Sequence, residues 1–194
     1  MGSAVERCHG LLAGALRPGA WSIDATAGRG RDTRLLARLV GPSGRVLAID
    51  LQPEALDAAQ RLLAAETGPL APVEWKLGDH AQLVELAGPP WRGAAAALVM
   101  NLGYLPGADR TLITRPASTL AALFGALELL APGGLLALVV YPGHPGGEAE
   151  AAAVEAWLRA RAGRGLEPLP ETEPAGPPYP AGAPRLLAAR RLAP

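Results

Sequence analysis

Short apolar runs alternate with longer amphipathic ones along this chain, which predicts repeated β-α units: a mostly parallel sheet with helices on both faces. Trp21 to Ala25 reads as the first strand. Asp32 to Val40 follows as a helix, with Leu35, Leu36 and Leu39 at helical spacing and Gly41-Pro42 to stop it. Arg45 to Asp50 is the second strand. Pro53 then stands at the favoured first position of a helix whose buried stripe is Ala55, Leu56, Ala59, Leu62 and Leu63. Val73 to Leu77 gives a third strand and Ala81 to Leu86 a short helix. Ala95 to Met100 is apolar throughout, as expected of a strand covered on both faces, and it ends in a polar turn from Asn101 to Asp109. Ser118 to Leu130 is a helix closed by Pro132-Gly133-Gly134, Leu135 to Val140 a fifth strand, and Gly147 to Arg161 a charged helix. Gly165 to Ala183 is Pro-rich and expected to be extended. Arg185 to Arg190 is expected to add a last strand, antiparallel at an edge. No internal repeat interrupts the series, so the expected fold is α/β, a Rossmann-like doubly wound sheet.

Composition adds bounds to this picture. A length of 194 residues suits one well-filled core, so a single domain over residues 1–194 is expected. No apolar run approaches the roughly 20 residues that cross a bilayer, and Glu6, Arg7 and His9 interrupt the first segment. A soluble, cytoplasmic protein with no membrane partner is expected. The lone cysteine, Cys8, has no partner for a disulfide or a zinc site and reads as an incidental thiol; no metal is expected. The net charge is zero, so a nucleic-acid partner would have to be met by a local patch. Lys76 is the only lysine, and coding bias is read as the main cause of the Arg-rich composition. The sequence leaves oligomeric state open, a homodimer included.

The candidate chemistry begins at Asp24-Ala25-Thr26-Ala27-Gly28-Arg29-Gly30-Arg31-Asp32-Thr33, where the first strand turns into the first of these helices. Gly28 and Gly30 allow unusual dihedrals and close approach of a ligand, and the helix beyond offers free N–H groups. A Gly-x-Gly alone is a weak signal. Asp50 strengthens it, twenty residues after Gly30 at the carboxyl end of the second strand, where an acid accepts from both ribose hydroxyls. The β-branched Thr33 stands where a dinucleotide fingerprint puts Gly or Ala, and Asp24 and Asp32 flank the turn. Carboxylates there favour a cofactor carrying an ammonium and a sulfonium, S-adenosylmethionine, over NAD with its phosphates.

Three further stretches lie at the same carboxyl edge. Gly78-Asp79-His80 follows the third strand, where an adenine would lie; His80 either lines a pocket or caps a helix. In Asn101-Leu102-Gly103-Tyr104-Leu105-Pro106, an amide oxygen and backbone carbonyls can accept from an amine and Tyr104 can stack on a base, although a capped Gly-Pro hairpin would look the same. Tyr141-Pro142-Gly143-His144 closes the fifth strand, and His144 can take a proton, bind phosphate or hold the loop. His9, in an N-terminal helix far from these motifs, reads as a surface residue.

Four stretches together resemble a family of class I methyltransferases labelled rRNA methylases, which includes the bacterial enzymes that methylate the aminomethyl group of a wobble uridine in tRNA. They are Asp24 to Gly28 with Gly30, Asp32 and Thr33; Asp50-Leu51-Gln52; Asn101 to Pro106 with Thr114-Arg115-Pro116; and Tyr141 to His144. Arg29 and Arg31 depart from the family's usual Asn and His, and no Asn precedes Gly176-Pro177-Pro178. The resemblance implies S-adenosylmethionine bound by Asp24, Thr26, Gly28, Gly30, Asp32, Thr33, Asp50, Gln52, Asp79, His80 and Asn101. It implies an amine oriented by Asn101 and the Leu102 carbonyl, a base stacked on Tyr104, and Asp109 or His144 as proton acceptor. It also implies tRNA as partner, its phosphates met by Arg29, Arg31, Arg34, Arg38, Arg110 and Arg115. The alternatives are a methyltransferase of the same fold acting on rRNA or a small amine, a cofactor- and RNA-binding module without catalysis, and a nicotinamide dehydrogenase.

Overall fold

The computed structural model describes residues 2–103, 113–169, 180 and 182–193. Seven strands form one sheet in the order β3-β2-β1-β4-β5-β7-β6. They are β1 (Trp21–Asp24), β2 (Arg45–Asp50), β3 (Val73–Leu77), β4 (Ala95–Leu102), β5 (Leu130–Val140), β6 (Leu166–Pro168) and β7 (Arg185–Arg191). The first five run parallel, and β7 runs antiparallel to both β5 and β6. The expected antiparallel strand is therefore present near that edge, with the three-residue β6 on its outer side. That short strand falls at the start of the segment read as merely extended; three residues carry too little pattern to announce a strand.

The helices are α1 (Ala4–Ala15), α2 (Arg31–Val40), α3 (Pro53–Ala64), α4 (Leu83–Ala87), α5 (Pro116–Leu129) and α6 (Gly147–Arg161). Among these described helices none is long and apolar enough to cross a membrane. A 3-10 turn over His80–Gln82 takes up the start of the helix expected from Ala81. The helix expected to reach Leu130 ends one residue earlier, and pairing of β5 with β4 already begins at Leu130. A register shift then absorbs Ala131 to Gly134 before Leu135.

Side-chain alternation sorts the core by face. Leu98, Met100, Leu136 and Leu138 point to the side covered by α4, α5 and α6. Ala97, Val99, Ala137 and Ala188 point to the other side, against Cys8 and Leu12 of α1 and Leu36 of α2. The small residues on that face let α1 lie close to the sheet. Cys8 is thus a core residue of 1% exposure, not an incidental thiol, and burial pushes its pKa up to about 12. A capping box starts α1: Ser3 Oγ accepts from the Glu6 N–H at 3.2 Å, and Glu6 Oε2 accepts from the Ser3 N–H at 2.7 Å. Strand order reverses between β1 and β4, which opens a crevice at the carboxyl ends of the parallel strands.

Candidate active site

A cavity of about 710 Å³ fills that crevice, walled by the ends of β1, β2, β4 and β5 and by α1. The glycine turn forms its floor. Gly28 and Gly30 have φ of +52° and +82°, the left-handed region that an L side chain enters only with strain. A Cβ on Gly30 would lie 2.7 Å from the Cβ and 2.8 Å from the Cα of Ala59, so α3 can reach α2 only because glycine stands there.

Asp24 is fully buried and does not line the cavity. Its Oδ2 accepts from Thr33 Oγ1 at 2.6 Å and its Oδ1 from the Thr26 N–H at 3.2 Å. The carboxylate expected to face a cofactor is therefore an internal strut of the turn, and the β-branched Thr33 supplies its hydroxyl. Burial, helped by the charge of Asp32, pushes the Asp24 pKa up to about 7 against these two bonds. Asp50, by contrast, lines the cavity. Its Oδ2 accepts from the Gly28 N–H at 2.7 Å and its Oδ1 from the Gln52 N–H at 2.9 Å, which fixes the carboxylate and leaves a lone pair on each oxygen.

At the rim, Asp79 Oδ1 accepts from the Ala81 N–H at 2.8 Å and caps the 3-10 turn. His80 lines the cavity; its Nδ1 lies 3.6 Å from Asp79 Oδ1, and its buried Nε2 has no hydrogen-bond partner. Burial holds this imidazole below its ordinary pKa, opposed by Asp79, Glu150 and Asp50. His80 thus caps nothing, and it brings an unsatisfied polar atom to the site.

The end of β4 is tied to the glycine turn twice. The Asn101 N–H donates to Thr26 Oγ1 at 2.7 Å, and Asn101 Nδ2 donates to Asp32 Oδ2 at 2.5 Å. The opposite amide orientation would set two acceptors against each other, so Asp32 dictates which way Asn101 points. The other Asp32 oxygen, Oδ1, is 2.7 Å from His9 Nε2. That bond, against the effect of burial, raises the His9 pKa. His9 is accordingly a wall residue of the site and not the surface residue expected. Its signal was present in the spacing: Ala4, Cys8 and Leu12 form the buried stripe of α1, and Val5 and His9 flank it on the cavity side.

Tyr141 and His144 also line the cavity, with His144 Nδ1 3.1 Å from the Pro145 carbonyl. Tyr104, Asp109 and Arg110 lie outside the described residues. The residues on either side of that segment are joined, the Thr114 N–H donating to the Gly103 carbonyl at 3.0 Å. Glu150 of α6, 2% exposed, accepts from Thr114 Oγ1 at 2.8 Å and Thr119 Oγ1 at 2.6 Å, anchoring this return to the core. The arginines divide. Arg29 and Arg31 line the cavity and Arg115 is exposed, whereas Arg34 and Arg38 both pair with Glu66.

Strand order, antiparallel β7 and a cavity at the carboxyl edge together make this a Rossmann-like class I methyltransferase fold. The family model described as "Putative rRNA methylase" matches residues 46–164, and the chain belongs to that family. A solved structure of the same description from Clostridium thermocellum has a TM-score of 0.85 at 27% identity, over 99% of both chains. A Streptococcus mutans methyltransferase solved in complex with SAH has a TM-score of 0.78 at 30% identity, also over 99% of both. The chloroplastic tRNA (mnm(5)s(2)U34)-methyltransferase of Arabidopsis thaliana is 37% identical over 161 residues, covering 79% of this chain; this chain spans 58% of that relative's length.

Proposed function

We propose that this chain is an S-adenosylmethionine-dependent N-methyltransferase acting on the aminomethyl group of a modified wobble uridine in tRNA. One domain over residues 1–194 carries the activity, in the cytoplasm with the translation machinery. The observation that supports it most is Asn101: with Nδ2 committed to Asp32, its Oδ1 is left as an acceptor at the cavity wall.

The residues present fit the cofactor. Asp50 keeps acceptor capacity for a ribose diol, Asp32 faces the cavity with its charge, and the unpartnered His80 Nε2 at the rim would be satisfied by a base edge. Bound there, S-adenosylmethionine supplies an activated methyl group on a cationic sulfur. The chain's own task is to present the acceptor. An alkylamine has a pKa of about 10, so it reaches a neutral site protonated and must shed a proton before its lone pair can react. Asn101 Oδ1 and the Leu102 carbonyl accept from its N–H groups and turn the lone pair inward. In this reading His144, which lies beside Gly103, accepts the proton, with Asp109 the other candidate. Tyr104 stacks on the uracil, and Arg29, Arg31 and Arg115 meet phosphates.

The test is methylation in vitro with labelled cofactor and nucleoside mass spectrometry. Transfer to tRNA carrying 5-aminomethyl-2-thiouridine, and none to unmodified tRNA, is expected. Transfer to rRNA or a small amine in preference would overturn the substrate assignment.

A further inference from the structure

His9, Asp32 and Asn101 form a hydrogen-bonded chain from α1 through the first turn of α2 to the end of β4. We propose that His9 is a positioning residue of the transfer site: by donating to Asp32 Oδ1 it locks the carboxylate whose other oxygen sets the Asn101 amide. This rests on the proposed function in so far as Asn101 orients the acceptor amine.

The geometry separates this role from packing. Cys8 and Leu12, on the adjoining stripe of α1, are 1% and 0% exposed and fill the core, whereas the His9 side chain is 33% exposed at the cavity wall. Its ring reaches across 23 positions of sequence to a carboxylate on another helix. A carboxylate held through one oxygen can still rotate about its last torsion, which is broad and roughly two-fold. Held through both oxygens by donors on separate elements, it cannot. Asp32 is 7% exposed, so few waters can replace a lost donor, and a carboxylate freed on one side can turn and leave the Asn101 amide without a fixed partner. The amide then samples both orientations, and half of them present N–H groups where the substrate amine needs an acceptor. The raised His9 pKa is the reciprocal sign of the same bond.

His9→Leu keeps the bulk and removes the donor; His9→Gln restores an N–H at about the position of Nε2. Two measurements apply. In nitrogen-15-labelled protein without cofactor, the Asn101 side-chain amide, assigned by its loss in Asn101→Ala, should exchange with solvent at least tenfold faster in His9→Leu. It should return to within threefold of the parent in His9→Gln. In turnover with aminomethyl-uridine tRNA, kcat should fall at least twofold in His9→Leu, as loss of half the competent amide population requires, and recover in His9→Gln, while KM for tRNA stays unchanged. If His9→Leu does not fold, His9→Asn, too short to reach Asp32, takes its place with the same expectation. Unchanged amide exchange in the donor-less variant, or equal impairment of His9→Gln, overturns the proposal. If the parent does not methylate this tRNA, the functional assignment falls, and amide exchange still decides the role of His9.

Discussion

Gly30→Ala perturbs the site at its tightest point, and its cost follows from two independent terms. An alanine at φ +82° must sit in the left-handed region, which costs roughly 1–2 kcal/mol. Its Cβ would also lie 2.7 Å from Ala59 Cβ and 2.8 Å from Ala59 Cα, where carbon atoms prefer about 3.5–4.0 Å. Relieving that overlap requires α2 and α3 to part by up to about 1 Å, an overpacking cost of about 1–3 kcal/mol. The sum, about 2–5 kcal/mol, is a large share of the roughly 5–15 kcal/mol that stabilises a domain. At about 2–4 °C per kcal/mol for this size, Tm should fall by roughly 4–20 °C. Because Gly30 caps the helix that carries Asp32, cofactor affinity should fall with stability. Thermal melts with and without SAH read both effects. Adding Ala59→Gly should return part of the loss, since it removes the Cβ overlap and leaves the backbone strain. A Gly30→Ala melt within 2 °C of the parent, about 1 kcal/mol or less, would refute the reasoning.

Asp50→Ala removes the two oxygens proposed to accept from the ribose diol and leaves the Gly28 and Gln52 N–H groups without partners; at about 1.5–3 kcal/mol for bonds to a charged group, SAH affinity by calorimetry should fall roughly 10- to 150-fold. Asp24 has its folded pKa raised above the unfolded value, so the native state binds more protons between about pH 4 and 7, and this group makes stability fall as pH rises through that window. Asp24→Asn, whose amide can still meet Thr33 because the hydroxyl can turn to accept, should flatten that slope in urea titrations across pH 4–7; an unchanged slope would contradict the assignment. For tRNA binding, the double change of Arg29 and Arg31, which line the cavity, should lower the salt slope by about two.

The parallel strands and the glycine turn were legible because continuous apolar runs, period-3.6 stripes and a fixed Gly-to-Asp spacing are local signals. Asp50 lines the cavity and accepts from the Gly28 N–H. Asp24 and Asp32 were indistinguishable by type and proximity to the turn; one became a buried strut and the other a cavity wall because strand alternation and helix phase point them apart. Spacing alone does not show that. His9 was misread because its partner lies on a different helix and the two meet only once α1 has a face of the sheet. That docking is recorded in Ala97, Ala137 and Ala188, small residues on one face of the central strands, which read as composition until the sheet is assembled. Glu150 was missed for the same reason: its partners, Thr114 and Thr119, are brought to it by helix packing.

The most direct test of the central claim is nucleoside mass spectrometry of wobble-position uridines in tRNA from cells with and without this protein. Loss of the methylaminomethyl nucleoside with accumulation of its aminomethyl precursor, reversed by the parent chain but not by Asn101→Ala, is the predicted result. An unchanged wobble nucleoside profile would contradict it.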